Sequence, residues 1–136
     1  EIMKLYQKHD ASQPPLELVP CGASTAYKIG MGLVVSGDAA AKVGAQEVPE
    51  YICMANKTGV AGEFIQAIRV SKEDTYEAAL SAAGTDLKVG DKVTIDADGI
   101  RVTATTTVSN AAVGVAKIVG FKTSEKASGD DVLIKF

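Results

Sequence analysis

The side chains of this chain that could support acid–base, nucleophilic or metal chemistry are few. They are the carboxylates at Asp96/Asp98, Glu73/Asp74 and Asp130/Asp131, the thiols of Cys21 and Cys53, and the imidazole of His9. A nucleophile needs a base to take its proton, and histidine is the commonest one. The single histidine lies near the N-terminus, away from the body of the chain. No Gly-x-Ser-x-Gly elbow, P-loop or Cys-x-x-Cys pair occurs. Asp96-Ala97-Asp98-Gly99 matches a piece of a calcium loop, but the bidentate glutamate needed further along is missing, with Thr107 and Val108 in that neighbourhood. Turn formation accounts for these aspartates without a metal. Cys21 and Cys53 make no metal-ligand spacing; they permit one disulfide, and free, buried or half-buried residues in a reducing compartment are the simpler expectation. Gly30-Met31-Gly32 opens into a strand and lacks the third glycine and the helix of a dinucleotide fingerprint, so it reads as a turn. No catalytic, cofactor-binding or metal-binding residue is therefore expected, and the chain is not expected to be an enzyme.

The elements around these residues are short strands. From Gly22 onward, apolar and β-branched runs are separated by Gly, Asp, Asn and Ser turns. Two stretches say nearly the same thing. Tyr27-Lys28-Ile29-Gly30 leads into Leu33-Val34-Val35, and Leu87-Lys88-Val89-Gly90 leads into Val93-Thr94-Ile95, at an offset of 60 residues from Lys28 to Lys88. Ile52-Cys53-Met54-Ala55 is matched with Val113-Gly114-Val115-Ala116. Gly62-Glu63-Phe64-Ile65 is matched with Gly129-Asp130-Asp131-Val132, at an offset of 67. Such self-similarity predicts a duplicated structural unit. Gly30 and Gly90 are assigned a structural role, as turn residues with φ > 0 just ahead of a strand. Asp98-Gly99 predicts a hairpin joining Val93–Asp96 to Ile100–Thr106. Strands are further expected at Tyr51–Ala55, Glu63–Val70, Val113–Val119 and Val132–Phe136.

Residues 1–20 read as an extended N-terminal arm or a sheet-edge strand, because Pro14-Pro15 lacks amide donors and Leu16 and Leu18 alternate with Glu17 and Val19. Residues 21–136 are expected to form a single β domain, with repeat one at about 22–70, a linker at 71–84 and repeat two at about 85–136. Ser71-Lys72-Glu73-Asp74 fits a helix start, and Glu77-Ala78-Ala79-Leu80 favours helix, while Tyr76, Ala78 and Leu80 also alternate as in a strand; helix and strand both stay open there.

Size and charge bound the rest. A chain of 136 residues with 46% hydrophobic and 23% charged residues has the composition of a globular protein. Each half alone would be marginal, so the two repeats are expected to share one core. A net charge of −3 with no Lys/Arg cluster leaves no footprint for nucleic-acid binding. No apolar run is long enough to span a bilayer, and the N-terminus lacks the apolar centre of a secretion signal, so neither a membrane partner nor export is expected.

From about Thr25 to Phe136 the sequence resembles phage capsid cement, or head decoration, proteins of the small duplicated β type. The resemblance is carried by Tyr27-Lys28-Ile29-Gly30 with Leu33-Val34-Val35, by Leu87-Lys88-Val89-Gly90-Asp91-Lys92-Val93, by Val102-Thr103-Ala104, by Val113-Gly114-Val115-Ala116, and by the closing Gly129-Asp130-Asp131-Val132-Leu133-Ile134-Lys135-Phe136. It implies a mainly β chain: a compact β-barrel or β-clip-like domain of two tandem repeats, with an extended N-terminal arm and at most one short helix. It further implies a structural virion protein, made in the bacterial host cytoplasm, that sits as a homotrimer on the exterior of an expanded capsid and stabilises it without a cofactor. The partner implied is the major capsid protein, and the segment placed against it is Pro14, Pro15, Leu16, Glu17, Leu18 and Val19. Strand addition by such a segment supplies backbone hydrogen bonds, while alternate side chains give specificity. The alternative from another class is a small carbohydrate- or surface-binding β-module of a tail or cell envelope, against which four Tyr, three Phe and no Trp weigh. An enzyme whose site is completed by another subunit is the third reading.

Overall fold

The computed structural model describes residues 3–8, 14–104 and 114–136, and its described residues contain strands and no helix. The strands are β1 (Lys4–Gln7), β2 (Leu16–Pro20), β3 (Ala26–Tyr27), β4 (Gly32–Ser36), β5 (Ala39–Lys42), β6 (Tyr51–Cys53), β7 (Lys57–Thr58), β8 (Phe64–Arg69), β9 (Thr75–Ala79), β10 (Lys92–Ile95), β11 (Val102–Ala104), β12 (Ala116–Phe121) and β13 (Asp131–Lys135). They form three antiparallel sheets: a five-stranded sheet in the order β2-β8-β6-β4-β5, a six-stranded sheet in the order β1-β9-β13-β12-β10-β11, and the pair β3-β7.

Leaving out β1, the two larger sheets have one connectivity. Read along the chain, the first, fifth, fourth, second and third strands of each lie side by side. Registers agree as well. Leu33 faces Lys42 where Val93 faces Ala104, Cys53 faces Ala67 where Ile118 faces Ile134, and Val19 faces Ile65 where Ala78 faces Val132. Both Lys-x-Gly turns do the same work. Gly30 N donates to Cys53 O at 2.8 Å and Gly90 N to Ile118 O at 2.8 Å, with φ of 89° and 100°. Where sequence matches Ile52–Ala55 with Val113–Ala116, the residue paired like Cys53 is Ile118, an offset of 65 residues, and Val113 lies outside the described residues. Short apolar runs carry too little information to fix a register across a loop that has grown.

Of the expected β-barrel or β-clip-like domain, the barrel is not formed: among the described residues no sheet closes on itself. In the five-stranded sheet the outer strands meet at a single parallel bridge, Cys21 to Ala40, and in the six-stranded sheet the residue after β9 meets β11 the same way, Leu80 to Val102. One bridge is not a ladder, and among the described residues no further strand pairing joins these edges. The predicted linker at 71–84 contains β9, which pairs with β1 on one side and β13 on the other. Helix propensity at Glu77–Leu80 yields to these two ladders, which satisfy the backbone on both edges. Residues 4–7 and 16–20 of the predicted arm are likewise strands, on the outer edges of the two sheets. His9, Val113, Thr107, Val108 and the expected strand residues Thr105 and Thr106 lie outside the described residues.

The expected single core is two clusters. Val19, Cys21, Tyr27, Leu33, Cys53, Ile65 and Ala67 fill one, inside the five-stranded sheet. Tyr76, Leu80, Val93, Val102, Ile118, Val132 and Ile134 fill the other, joined by Met3 and by Ile52 and Ile68 from the opposite face of the first sheet. That sheet is therefore apolar on both faces over part of its length, and it links the two halves. A hydrogen bond from Gly32 N to Gly99 O at 2.8 Å adds a backbone contact between them.

Candidate functional site

Each acidic pair singled out by sequence is engaged in structure. Asp98 accepts from Ile100 N at 2.8 Å, from Arg101 N at 3.0 Å and from Arg101 Nε at 2.6 Å. Burial pushes its carboxyl up, but these donors outweigh that and hold it below the ordinary aspartate value. Asp130 accepts from Thr123 Oγ1 at 2.8 Å and Ala127 N at 2.9 Å, fastening the loop before β13. Asp74 is buried and ion-paired with Lys8 at 3.6 Å. Glu73 N caps onto Ser71 Oγ at 3.3 Å. Among the described residues no cluster of three or more His, Cys, Asp and Glu is arranged to hold a metal ion. Cys21 and Cys53 are free and buried, and burial pushes the Cys53 thiol up, away from the reactive thiolate.

A charged knot fastens β1. Glu77 on β9 is buried and meets Lys4 at 3.3 Å and Lys122 at 3.3 Å, and Lys122 also lies 5.3 Å from the Tyr6 ring centre. Burial raises Glu77, while hydrogen bonds with Asp131, Lys122 and Lys4 lower it further, for a net downward shift; burial and the shared hydrogen bond with Glu77 raise Asp131. These groups are paired with one another across β1, β9 and β13 and the end of β12.

The unpaired feature is apolar. On β2, Leu16 and Leu18 are 57% and 68% exposed, and on the same face Phe64 is 56% and Met54 39% exposed. Register explains the grouping. Pro20 is opposite Phe64, Leu18 opposite Gln66, and Met54 N donates to Gln66 O at 2.9 Å, so these side chains share one face of β2, β8 and the end of β6. Beside them lies a cavity of about 390 Å³ lined by Met3, Leu5, Pro14, Ile29, Met54 and Ile68 together with Leu16, with Lys4 its sole charged lining residue.

Of the segment predicted to make contacts, Leu16, Leu18 and Pro15 are exposed and Pro14 lines the cavity. Val19 points into the core, and Glu17 is held by Arg69 through two bonds of 2.9 and 3.1 Å. Gly30 and Gly90 lie in their turns; Gly30 follows Ile29, which lines the cavity, and Gly90 is not among the residues of this face. Sequence reasoning missed Phe64 and Met54. The signal was there in Phe64-Ile65-Gln66-Ala67, where an aromatic shares the alternation of a polar residue and so falls on the solvent side. No model of a known protein family matches the chain, and a search of curated proteins finds no match either.

Proposed function

We propose that the chain is a structural, partner-binding protein built on a duplicated β unit, and that it acts as a cement or decoration protein on the exterior of an expanded phage capsid. The observation that carries this is the apolar surface of Leu16, Leu18, Phe64 and Met54 beside a cavity able to take an anchoring side chain. Its partner under this reading is the major capsid protein, and trimers would set three such surfaces around each site. Binding to the expanded shell alone stabilises that state by mass action, and many copies across subunit boundaries oppose bursting. The role is mechanical. Matching connectivity in the two large sheets supports the duplication, and the sequence resemblance supports the capsid as partner. A glycan-binding module is less favoured, because stacking platforms need open aromatic faces and, of the described exposed aromatics, Tyr6 has Lys122 over its ring, which leaves Phe64 alone.

The test is co-sedimentation with unexpanded and expanded shells of the major capsid protein from the same source. Removing residues 1–20 would strip an edge strand from both sheets, so point changes on the exposed face are the better probe. Saturable binding of the unaltered protein to the expanded shell, weakened at least about ten-fold by Leu18→Ser with Phe64→Ser, is the expected result. Absence of binding to either shell sinks the capsid role.

A further inference from the structure

Short of its bridge to β5 at Cys21, the outer edge of β2 has no partner strand among the described residues, where the corresponding edge of β9 is filled. Cys21 N donates to Glu63 O, as Leu80 N does to Asp130 O. Hydrogen-bonded pairs alternate along an antiparallel ladder, so Val19 and Glu17 direct their N–H and C=O groups at β8, and Leu18 and Leu16 direct theirs outward. On β9 the same alternation turns Glu77 and Thr75 outward, and there β1 takes them up, Lys4 opposite Glu77 and Gln7 opposite Thr75. Among the described residues no strand does this for Leu16 and Leu18.

We propose that this edge pairs antiparallel with the same edge of a second copy of the chain, about a twofold axis at Glu17. The axis sets Leu16 opposite Leu18 of the second copy, and both residues already point their backbone groups outward, so the pairing closes with no shift of register. It also sets exposed leucine against exposed leucine and merges the two Phe64–Met54 faces into one apolar strip. Free edges are commonly guarded by a charge aimed at the approaching strand. Here the single charge, Glu17, is already neutralised by its own Arg69. The N-terminal strand of another copy is a poorer occupant, since Lys4 would meet Leu18 in place of Glu77. Pro14-Pro15 and Pro20 bracket the open stretch, and a twofold uses up both edges, so the contact ends at a dimer and does not propagate into a fibre. Four residues of edge give an interface below roughly 1,200 Å², the size of weak, concentration-dependent complexes.

This dimer draws on the same apolar surface as the capsid reading, but it does not rest on that reading and is tested without a shell. Sedimentation velocity across a concentration series should show a monomer–dimer equilibrium. Leu18→Lys, and separately Leu16→Lys, should weaken it at least about ten-fold by setting an unmatched charge into the paired edge. Hydrogen exchange of the unaltered protein gives a readout that does not depend on the variants. The Leu16 and Leu18 amides should gain protection with rising concentration, while those of Glu17 and Val19 stay constant. A monomer at every concentration, a trimer, an oligomer that Leu18→Lys leaves intact, or Leu18 amide exchange indifferent to concentration overturns the proposal. Shell binding by a protein that stays monomeric removes the dimer alone, and a dimer without shell binding removes the capsid role alone.

Discussion

Tyr27 is the residue on which the first half closes. Its hydroxyl donates to Ala40 O at 2.6 Å and accepts from Gly22 N at 2.7 Å, so one buried atom ties the end of β2 to β5 beside the lone bridge between them. Tyr27→Phe keeps the ring and strands both partners, and should cost about 1–3 kcal/mol in urea unfolding. Asp98 makes a second prediction, on pH. Its folded-state pKa is lowered, so the unfolded chain binds the proton more readily; its stabilising contribution is complete above the unfolded value and is lost as pH falls through the folded one. Unfolding midpoints measured from about pH 2 to 6 should therefore fall less steeply for Asp98→Ala than for the parent. The aspartates were legible in sequence as turn formers. The knot around Glu77 was not, because Lys4, Lys122 and Asp131 lie far from it along the chain and reach it only when β1, β9 and β13 are side by side.

At the scale of elements, the two Lys-x-Gly turns aim β4 and β10. Both glycines hold a left-handed φ, and around Gly90 a Cβ would meet nothing within 4 Å, so the penalty for a side chain there is conformational and not a clash. Gly30→Ala and Gly90→Ala should each lower stability by about 1–2 kcal/mol, read by denaturant titration. The need for glycine at both places was visible from spacing alone, since the turn is local. β9 was not so visible. Its sequence suits helix and strand alike, and its choice was made by β1 and β13, partners separated from it by more than fifty residues on either side.

Across the whole molecule, the two core clusters are coupled through the first sheet. Ala67 faces one cluster and its neighbour Ile68 the other, so loss of either core exposes β8. Heat should therefore unfold the described body in one transition with equal calorimetric and van't Hoff enthalpies. Ile68→Ala should cost about 2–5 kcal/mol and lower that transition without splitting it. Two separate transitions would mean that the halves are independent units.

Sequence by itself determined what depends on near neighbours: β-rich content, turn glycines at 30 and 90, the hairpin at Asp98-Gly99, and two segments similar enough to suggest duplication. These follow from steric limits on φ, from alternation and from local hydrogen bonding. Tertiary structure alone decided which strands lie side by side, that residues 4–7 and 16–20 edge two different sheets, and that Phe64 and Met54 join Leu16 and Leu18 on an open face. Pairing across long loops is set by how whole sheets bury their apolar sides, and that cannot be read from any short window of the chain.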